Sequence, residues 1–147
     1  MASKAPIAYI DIRVFAHATE EADKVLKAAY NVLPESAVET VLFKKRSLTG
    51  HHGNPIVLFE AKLKGELAQK FFEKLSSGLG SLDKEQLSNE IRRHIEKGNL
   101  YLRLDKQSAY LNEIRLCQTD PIHFRVHFKK PSSEEIVGIC RKFGLIP

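Results

Sequence analysis

The chain has 147 residues, of which 43% are hydrophobic and 28% are charged, a balance typical of a globular protein rather than a disordered one. Its formal net charge of +5 is compatible with a polyanionic partner. No apolar run could cross a bilayer, no signal-peptide pattern is present, and the two cysteines lack disulfide or zinc spacing, so we expect a cytoplasmic protein with one domain over residues 1–147.

The first third of the chain predicts a strand, a helix and two more strands. Residues 7–17 alternate apolar and polar side chains with a period of two, which indicates a half-buried strand. Thr19, followed by acidic residues, predicts the start of a helix that ends before Pro34. Further strands are predicted over 38–48 and 56–63, with a turn rich in glycine between them.

The middle of the chain changes to helical periodicity. Apolar residues at spacings of four predict one helix over residues 66–79. Ser81 is positioned to cap a second helix, which Gly98 would end.

The last third returns to a period of two. Strands are predicted over residues 100–104, 114–116 and 122–128, and the segment 106–112 is expected to be a turn or a short helix. Ser132 has capping-box spacing to a glutamate, which predicts a final helix.

The predicted element order is β-α-β-β-α-α-β-β-β-α. Strands of a parallel sheet buried on both faces would be continuous apolar runs, whereas these strands alternate. We therefore predict an α+β fold with one mostly antiparallel sheet and helices packed on one face.

Such a fold leaves the second face of the sheet open, and the polar half of each alternation would lie there. Guanidinium groups match phosphate geometry, and exposed aromatic rings can stack on unpaired bases. The candidate RNA-binding side chains on this face are Arg13 and His17 from the first strand, Arg103 and Arg115 from the middle strands, and Arg125 and Lys129 from the last, together with the polar or aromatic neighbours Tyr9, Tyr101, His123 and His127. The alternative is an ordinary solvated face on which Asp11, Asp105 and Glu113 neutralise the arginines.

The turn between the second and third strands carries a second group of candidates. A projecting hairpin there could reach a phosphate backbone, although a polar turn is the commoner explanation of such a cluster. Its candidate residues are Lys44, Lys45, Arg46, His51, His52 and Asn54.

Catalytic and metal-binding functions have no specific support. No histidine spacing places two ligands on one helix face beside a carboxylate, so no metal or other cofactor is expected. A metal-independent ribonuclease would need a base, an acid and a cation, for which His17, His51 or His52, and Lys106 are candidates. We therefore expect that the protein is not an enzyme.

Three segments together are similar to one known family. Residues 13–20, 50–56 and 101–111 resemble an archaeal family described as RNA-binding proteins and predicted exosome subunits. The resemblance implies an α+β fold like that of the ribosomal protein that contacts five-S RNA, and a role near RNA processing. It draws attention to His17, His51, His52, Asn54, Arg103, Asp105, Lys106 and Gln107. Two of these positions have structural alternatives: Asn54 as part of the residues that shape a turn, and Asp105 as the cap of the segment after it.

The sequence therefore predicts an RNA-binding protein, and the resemblance implies an accessory factor of an exosome-associated RNA-processing complex. One alternative is a protein-interaction or dimerisation module that uses the open sheet. The other is the ribonuclease described above.

Overall fold

Alternating strands build one six-stranded sheet in the computed structural model, which describes residues 6–129 and 132–147. The strands are β1 (Ile7–Ala16), β2 (Lys44–Thr49), β3 (Pro55–Lys64), β4 (Ile95–Glu96), β5 (Asn99–Leu104) and β6 (Ile122–Phe128). Their order in the sheet is β2-β3-β1-β6-β5-β4, and every neighbouring pair is antiparallel.

Within the described residues, six α-helices connect or follow these strands. They are α1 (Ala22–Asn31), α2 (Glu35–Val38), α3 (Gly65–Gly78), α4 (Ser81–Glu90), α5 (Lys106–Tyr110) and α6 (Ser133–Phe143), and one 3-10 turn covers Ile91–His94. The predicted α+β architecture with an antiparallel sheet is confirmed.

The core lies between one sheet face and the helices. The apolar half of β1 and of β6 is buried, as the period of two predicts. Phe71 of α3 stacks on Phe124 of β6 with 4.9 Å between ring centroids, and Phe72 makes edge contacts with Phe128 and with Phe143 of α6. Each large apolar side chain buried in this way contributes about 1.5–3 kcal/mol. The opposite side of the sheet, which we call the open face, carries the polar half of each strand.

The predicted start of the first helix and the extent of the second strand are wrong. Helix α1 begins at Ala22 with Glu21 at its N-cap, so Thr19 lies in the preceding turn. Only the second half of the predicted strand 38–48 is extended, because Glu35–Val38 forms α2 and buries Ala37.

The predicted helix that begins near Ser81 and ends at Gly98 is also too long. Helix α4 ends at Glu90, and the chain then makes a 3-10 turn and a hairpin between β4 and β5. Lys97 and Gly98 both have positive φ, at 51° and 81°, which is the backbone of a tight two-residue hairpin turn. Gly98 therefore belongs to a hairpin instead of a helix end.

Two further details differ from expectation. The predicted strand 114–116 is reduced to a single bridge between Leu104 and Leu116, and α5 forms within 106–112. The predicted cap at Ser81 is wrong, because Gly80 is the N-cap of α4 and Ser81 is already helical. Ser132 is the N-cap of α6, but its side chain makes no capping hydrogen bond in the described chain. Over residues 6–129 and 132–147, no helix is long and apolar enough to span a membrane.

Candidate nucleic-acid interface

Strand register arranges the open face in cross-strand rows, because side chains of directly opposed residues lie on the same face. Arg13 of β1 lies opposite His123 of β6, and His123 lies opposite Arg103 of β5. On the other side Arg13 lies opposite Glu60 of β3, which lies opposite Lys44 of β2. Neighbouring strands are about 4.8 Å apart, so this basic row (Lys44, Glu60, Arg13, His123, Arg103) crosses the sheet in roughly 20 Å.

The cations of the basic row are available to an external anion. Lys44, Arg13 and Arg103 make no ion pair with any carboxylate among the residues that the structure describes. Arg103 donates one hydrogen bond, 3.2 Å long, to the neutral amide oxygen of Gln118. The Arg13 guanidinium lies 6.0 Å from the centroid of the Phe15 ring. Neither contact neutralises the positive charge.

His123 lies between Arg13 and Arg103 in the basic row and is half-buried. Burial lowers the pKa of His123, and the adjacent Arg13 and Arg103 lower it further, while Asp120 opposes them. The lowered pKa favours the neutral imidazole, which lies between the guanidinium-bearing Arg13 and Arg103.

The next row differs in its charge balance. Asp11 of β1 lies opposite Arg125 of β6 and Lys62 of β3. Its carboxylate accepts hydrogen bonds from the Arg125 guanidinium and lies 3.5 Å from the Lys62 ammonium. The hydrogen bond to Asp11 raises the pKa of Arg125. In this row the alternative of an ordinary solvated face is correct in part, because the Asp11 carboxylate partly neutralises both Arg125 and Lys62.

The aromatic side chains of the open face also differ in accessibility. Tyr9 stacks on His127 on its β6 side, at 4.7 Å between centroids, and the Lys62 ammonium lies 4.3 Å from its ring centroid on the β3 side. Tyr101 of β5 lies in the row of Arg125 and is 37% exposed, with no aromatic or cation partner for its ring in the described chain.

A groove of about 550 Å³ runs over these rows. Its floor includes Arg13, His123 and Tyr101, and Lys44 lies along one side. Leu42, which precedes β2 and is 83% exposed, adds an apolar group to that side.

Several residues in or beside the groove were not among the sequence-predicted site residues. The period of two in β3 would have placed Lys62 and Lys64 on the open face, as it did for β1 and β6. Leu42 and Gln118 lie outside the strands, so only the folded chain brings them here.

The β2–β3 hairpin is an exposed edge of the sheet, and all six residues of β2 are exposed. Lys44 and Arg46 lie on the open face, whereas Lys45 lies opposite the buried Phe59 and belongs to the other face. Arg46 pairs with Glu60 at 3.0 Å.

The turn of this hairpin has the tight shape that its glycines predict. The Gly50 amide donates to the Asn54 carbonyl, and Gly53 has φ of +80°. The exposed His51 and His52 rings meet edge to face at 4.9 Å rather than pointing to opposite sides of a strand. Asn54 thus contributes to the turn through its backbone.

A cluster of ion pairs lies where β1 ends and β6 begins. Lys106 Nζ lies 2.7 Å from Asp120 and 3.0 Å from Glu20, and it donates to the Phe15 carbonyl oxygen at 2.8 Å. His17 Nε2 is 2.9 Å from the other oxygen of Asp120. Burial raises the pKa of Asp120, but hydrogen bonds from Lys106 and His17 hold it below its ordinary value.

This cluster has the donor atoms of a cation site. Ligand atoms of His17, Glu20 and Asp120 all lie within 4.8 Å of one another. The Lys106 ammonium already supplies positive charge to both carboxylates, so the cluster is satisfied as an ion-pair network. The structure thus brings together two of the ribonuclease candidates, while His51 and His52 make no hydrogen bond or ring contact with the cluster in the described residues.

The remaining predicted residues lie around α5 and beyond β6. Asp105 caps α5 by accepting hydrogen bonds from the Ser108 amide and hydroxyl, and the hydroxyl bond leads the effects that lower the Asp105 pKa. Gln107 is exposed on the same helix, and Lys129 is exposed directly after β6. Arg115 was predicted to lie on the open face, and this prediction is wrong. It lies outside the strands and pairs with Glu113 at 3.0 Å.

Comparison with known proteins defines the class to which this architecture belongs. Residues 9–128 match the model of a family described as RNA binding, and the chain belongs to that family. It is 37% identical over 142 residues to RNA-binding protein PAB1135 of Pyrococcus abyssi, covering 93% of this chain and 92% of that protein.

Solved structures of DUF54 proteins share the fold over nearly the whole chain. A protein from Archaeglobus fulgidus has a TM-score of 0.78 at 27% identity, covering 93% of this chain and 99% of that one. A protein from Methanothermobacter thermautotrophicus also has a TM-score of 0.78, at 28% identity and with coverages of 95% and 98%. The resemblance to an archaeal RNA-binding family is therefore confirmed.

Proposed function

We propose that this protein binds RNA on the open face of its sheet, along the basic row. The observation that carries the proposal is that Lys44, Arg13 and Arg103 lie in one groove-lining row and have no carboxylate partner in the described residues. Cations without internal partners can bind phosphates and release the counterions condensed on the RNA, and this release favours binding most strongly at low salt.

The charge of the open face agrees with this proposal. Across the six described strands the face carries seven lysine or arginine side chains against three carboxylates. They are the cations Arg13, Lys44, Arg46, Lys62, Lys64, Arg103 and Arg125, with Asp11, Glu60 and Glu96. The helices cover the other face, so this excess of positive charge lies on the sheet face that is open to a polyanion.

A binding assay at several salt concentrations tests the proposal. For a fluorescent RNA, the logarithm of the wild-type affinity should fall linearly with the logarithm of salt concentration. Arg13→Ala and Arg103→Ala should each weaken binding and reduce that slope by about one. Arg141→Ala, an exposed substitution on α6, is the matched control because it removes the same charge from the helical side.

Two outcomes would contradict the proposal. One is affinity that does not depend on salt, since phosphate contacts require salt dependence. The other is equal loss of affinity in Arg103→Ala and Arg141→Ala, because a diffuse charge effect would then explain the binding.

We infer an accessory role in cytoplasmic RNA processing from the family resemblance, with an exosome-type assembly as the partner. Its support is the family itself, and the open face supplies the RNA contact. Co-purification of the tagged full chain with exosome subunits, with and without nuclease treatment, tests this part separately. Recovery that disappears on nuclease treatment would point to RNA as the only link.

A further inference from the structure

We propose that the open face selects single-stranded RNA, with one base stacked on Tyr101 and the adjacent phosphate bound by Arg103. This inference rests on the proposed RNA-binding function and adds the form of RNA that the groove accepts.

The first argument is the spacing of the two side chains. Tyr101 and Arg103 are two residues apart on β5, so both lie on the open face, about 6.6 Å apart along the strand. A base and the phosphate of the same or the next nucleotide are separated by a similar distance. The aromatic ring can therefore stack on the base of a nucleotide while the neighbouring guanidinium binds its phosphate.

The second argument is the availability of the rings. Both sides of Tyr9 are engaged, one by His127 and one by Lys62. Tyr101 has no such partner in the described chain and is 37% exposed, which leaves a ring surface for an unstacked base. Because it is exposed, its substitution should leave the core intact.

The third argument is the shape of the groove. Its volume of about 550 Å³ is that of a cleft for a small molecule, which suits about one or two nucleotides. The Leu42 side chain stands along one side, and the basic row lies within the recess. Bases of an A-form duplex are stacked inside the helix, so a duplex has no unstacked base to offer to Tyr101.

The test compares one RNA sequence in single-stranded and duplex form, with wild type, Tyr101→Leu and Tyr101→Phe. Single-stranded RNA should bind more tightly, and Tyr101→Leu should weaken that binding on the order of tenfold. Tyr101→Phe keeps the ring and should stay close to wild type. A 2-aminopurine base in the single strand should lose fluorescence on binding to wild type and to Tyr101→Phe, and much less on binding to Tyr101→Leu.

The other outcomes separate this inference from the proposed function. Duplex binding as tight as single-strand binding, or single-strand binding that Tyr101→Leu leaves unchanged, overturns the inference. If Arg103→Ala still weakens salt-dependent binding in those cases, RNA binding on the open face survives. Failure of both RNA forms to bind overturns both proposals.

Discussion

Arg103 and Arg125 lie on adjacent strands of the open face, but they have different partners. Arg103 donates to a neutral amide, whereas Arg125 is paired with Asp11. A phosphate must compete with Asp11 for Arg125, so removal of Arg125 should cost less RNA affinity than removal of Arg103. We expect Arg103→Ala to reduce affinity several-fold more than Arg125→Ala in parallel titrations at one salt concentration. A larger loss of affinity in Arg125→Ala than in Arg103→Ala would show that the ion pair with Asp11 does not keep Arg125 from binding phosphate.

His123 predicts a pH dependence of RNA binding. The charged groups that face it are Arg13 from β1, Arg103 from β5 and Asp120 from the segment before β6. Burial and the two arginines lower its pKa, and a bound phosphate between them would raise it again. RNA affinity should therefore increase as the pH falls from 7.5 to 5.5, and more for wild type than for His123→Gln. NMR titration of the His123 ring with and without RNA measures the effect, and an unchanged ring pKa would contradict it.

The same shift has the opposite consequence for the free protein. Because the pKa of His123 is lower in the folded state than in the unfolded chain, the unfolded chain binds more protons. Stability from this group is present above a pH of about 6.5 and is lost as the pH falls through the lower folded-state value. RNA and proton binding should thus stabilise the complex together, although protonation alone destabilises the free fold.

Two adjacent lysines of β2 provide a matched pair of variants, since successive residues of a strand lie on opposite faces of the sheet. Lys44 belongs to the basic row on the open face, and Lys45 lies on the other face of the same exposed edge. Lys44→Ala should weaken RNA binding and lower the salt slope, while Lys45→Ala should do so much less. Affinity measurements on the two variants at matched salt test this. Equal effects would indicate that the hairpin contributes only its total charge.

The elements also show which parts of the fold the sequence could predict. Strand β6 alternates over its whole length, and β1 alternates from Ile10 onward, after a register shift between Ile7 and Tyr9. In these stretches one phase alone buries the apolar side chains. The run that contains Val38, Val41 and Phe43 has β-branched and aromatic residues that favour a strand locally, yet Ala37 is buried by turning the chain into α2. Tertiary burial overrode the local preference there.

The β4–β5 hairpin was predicted as the end of a helix because its apolar residues have helical spacing. Leu87, Ile91 and Ile95 continue a helical period of four, but Ile95 pairs with Leu100 across a two-residue turn. A residue followed by glycine before alternating apolar residues is a hairpin signal, and Lys97-Gly98 has this form.

At the scale of the whole molecule, Lys106 joins segments that are far apart in the sequence. Its side chain is 11% exposed, and its ammonium contacts Phe15 at the end of β1, Glu20 before α1 and Asp120 before β6. Lys106→Met keeps the apolar stem but leaves a carbonyl and two carboxylates without this donor. We expect the free energy of unfolding to fall by about 1–3 kcal/mol. Urea denaturation measures the loss, with the exposed Lys142→Met as the control, and equal stability of the two variants would contradict the role given to Lys106.

The candidate site was only partly predictable because it depends on strand order. The alternation of β1, β5 and β6 placed Arg13, Arg103 and Arg125 on one face, but their neighbours follow from the register. Pairing of β1 with β6 sets Asp11 against Arg125 and leaves Arg13 beside His123. A single sequence carries no direct signal for that pairing, so the arginine that is neutralised could not be distinguished from those that are free.

The most direct test of RNA binding on the open face is an amide chemical-shift map of the full chain during titration with a short single-stranded RNA. We expect the largest changes in β1, β5 and β6 around Arg13, Tyr101, Arg103 and His123, with smaller changes at Lys44 and little change in α3 and α6. Changes concentrated on α3, α4 or α6, with the basic row unaffected, would contradict the account.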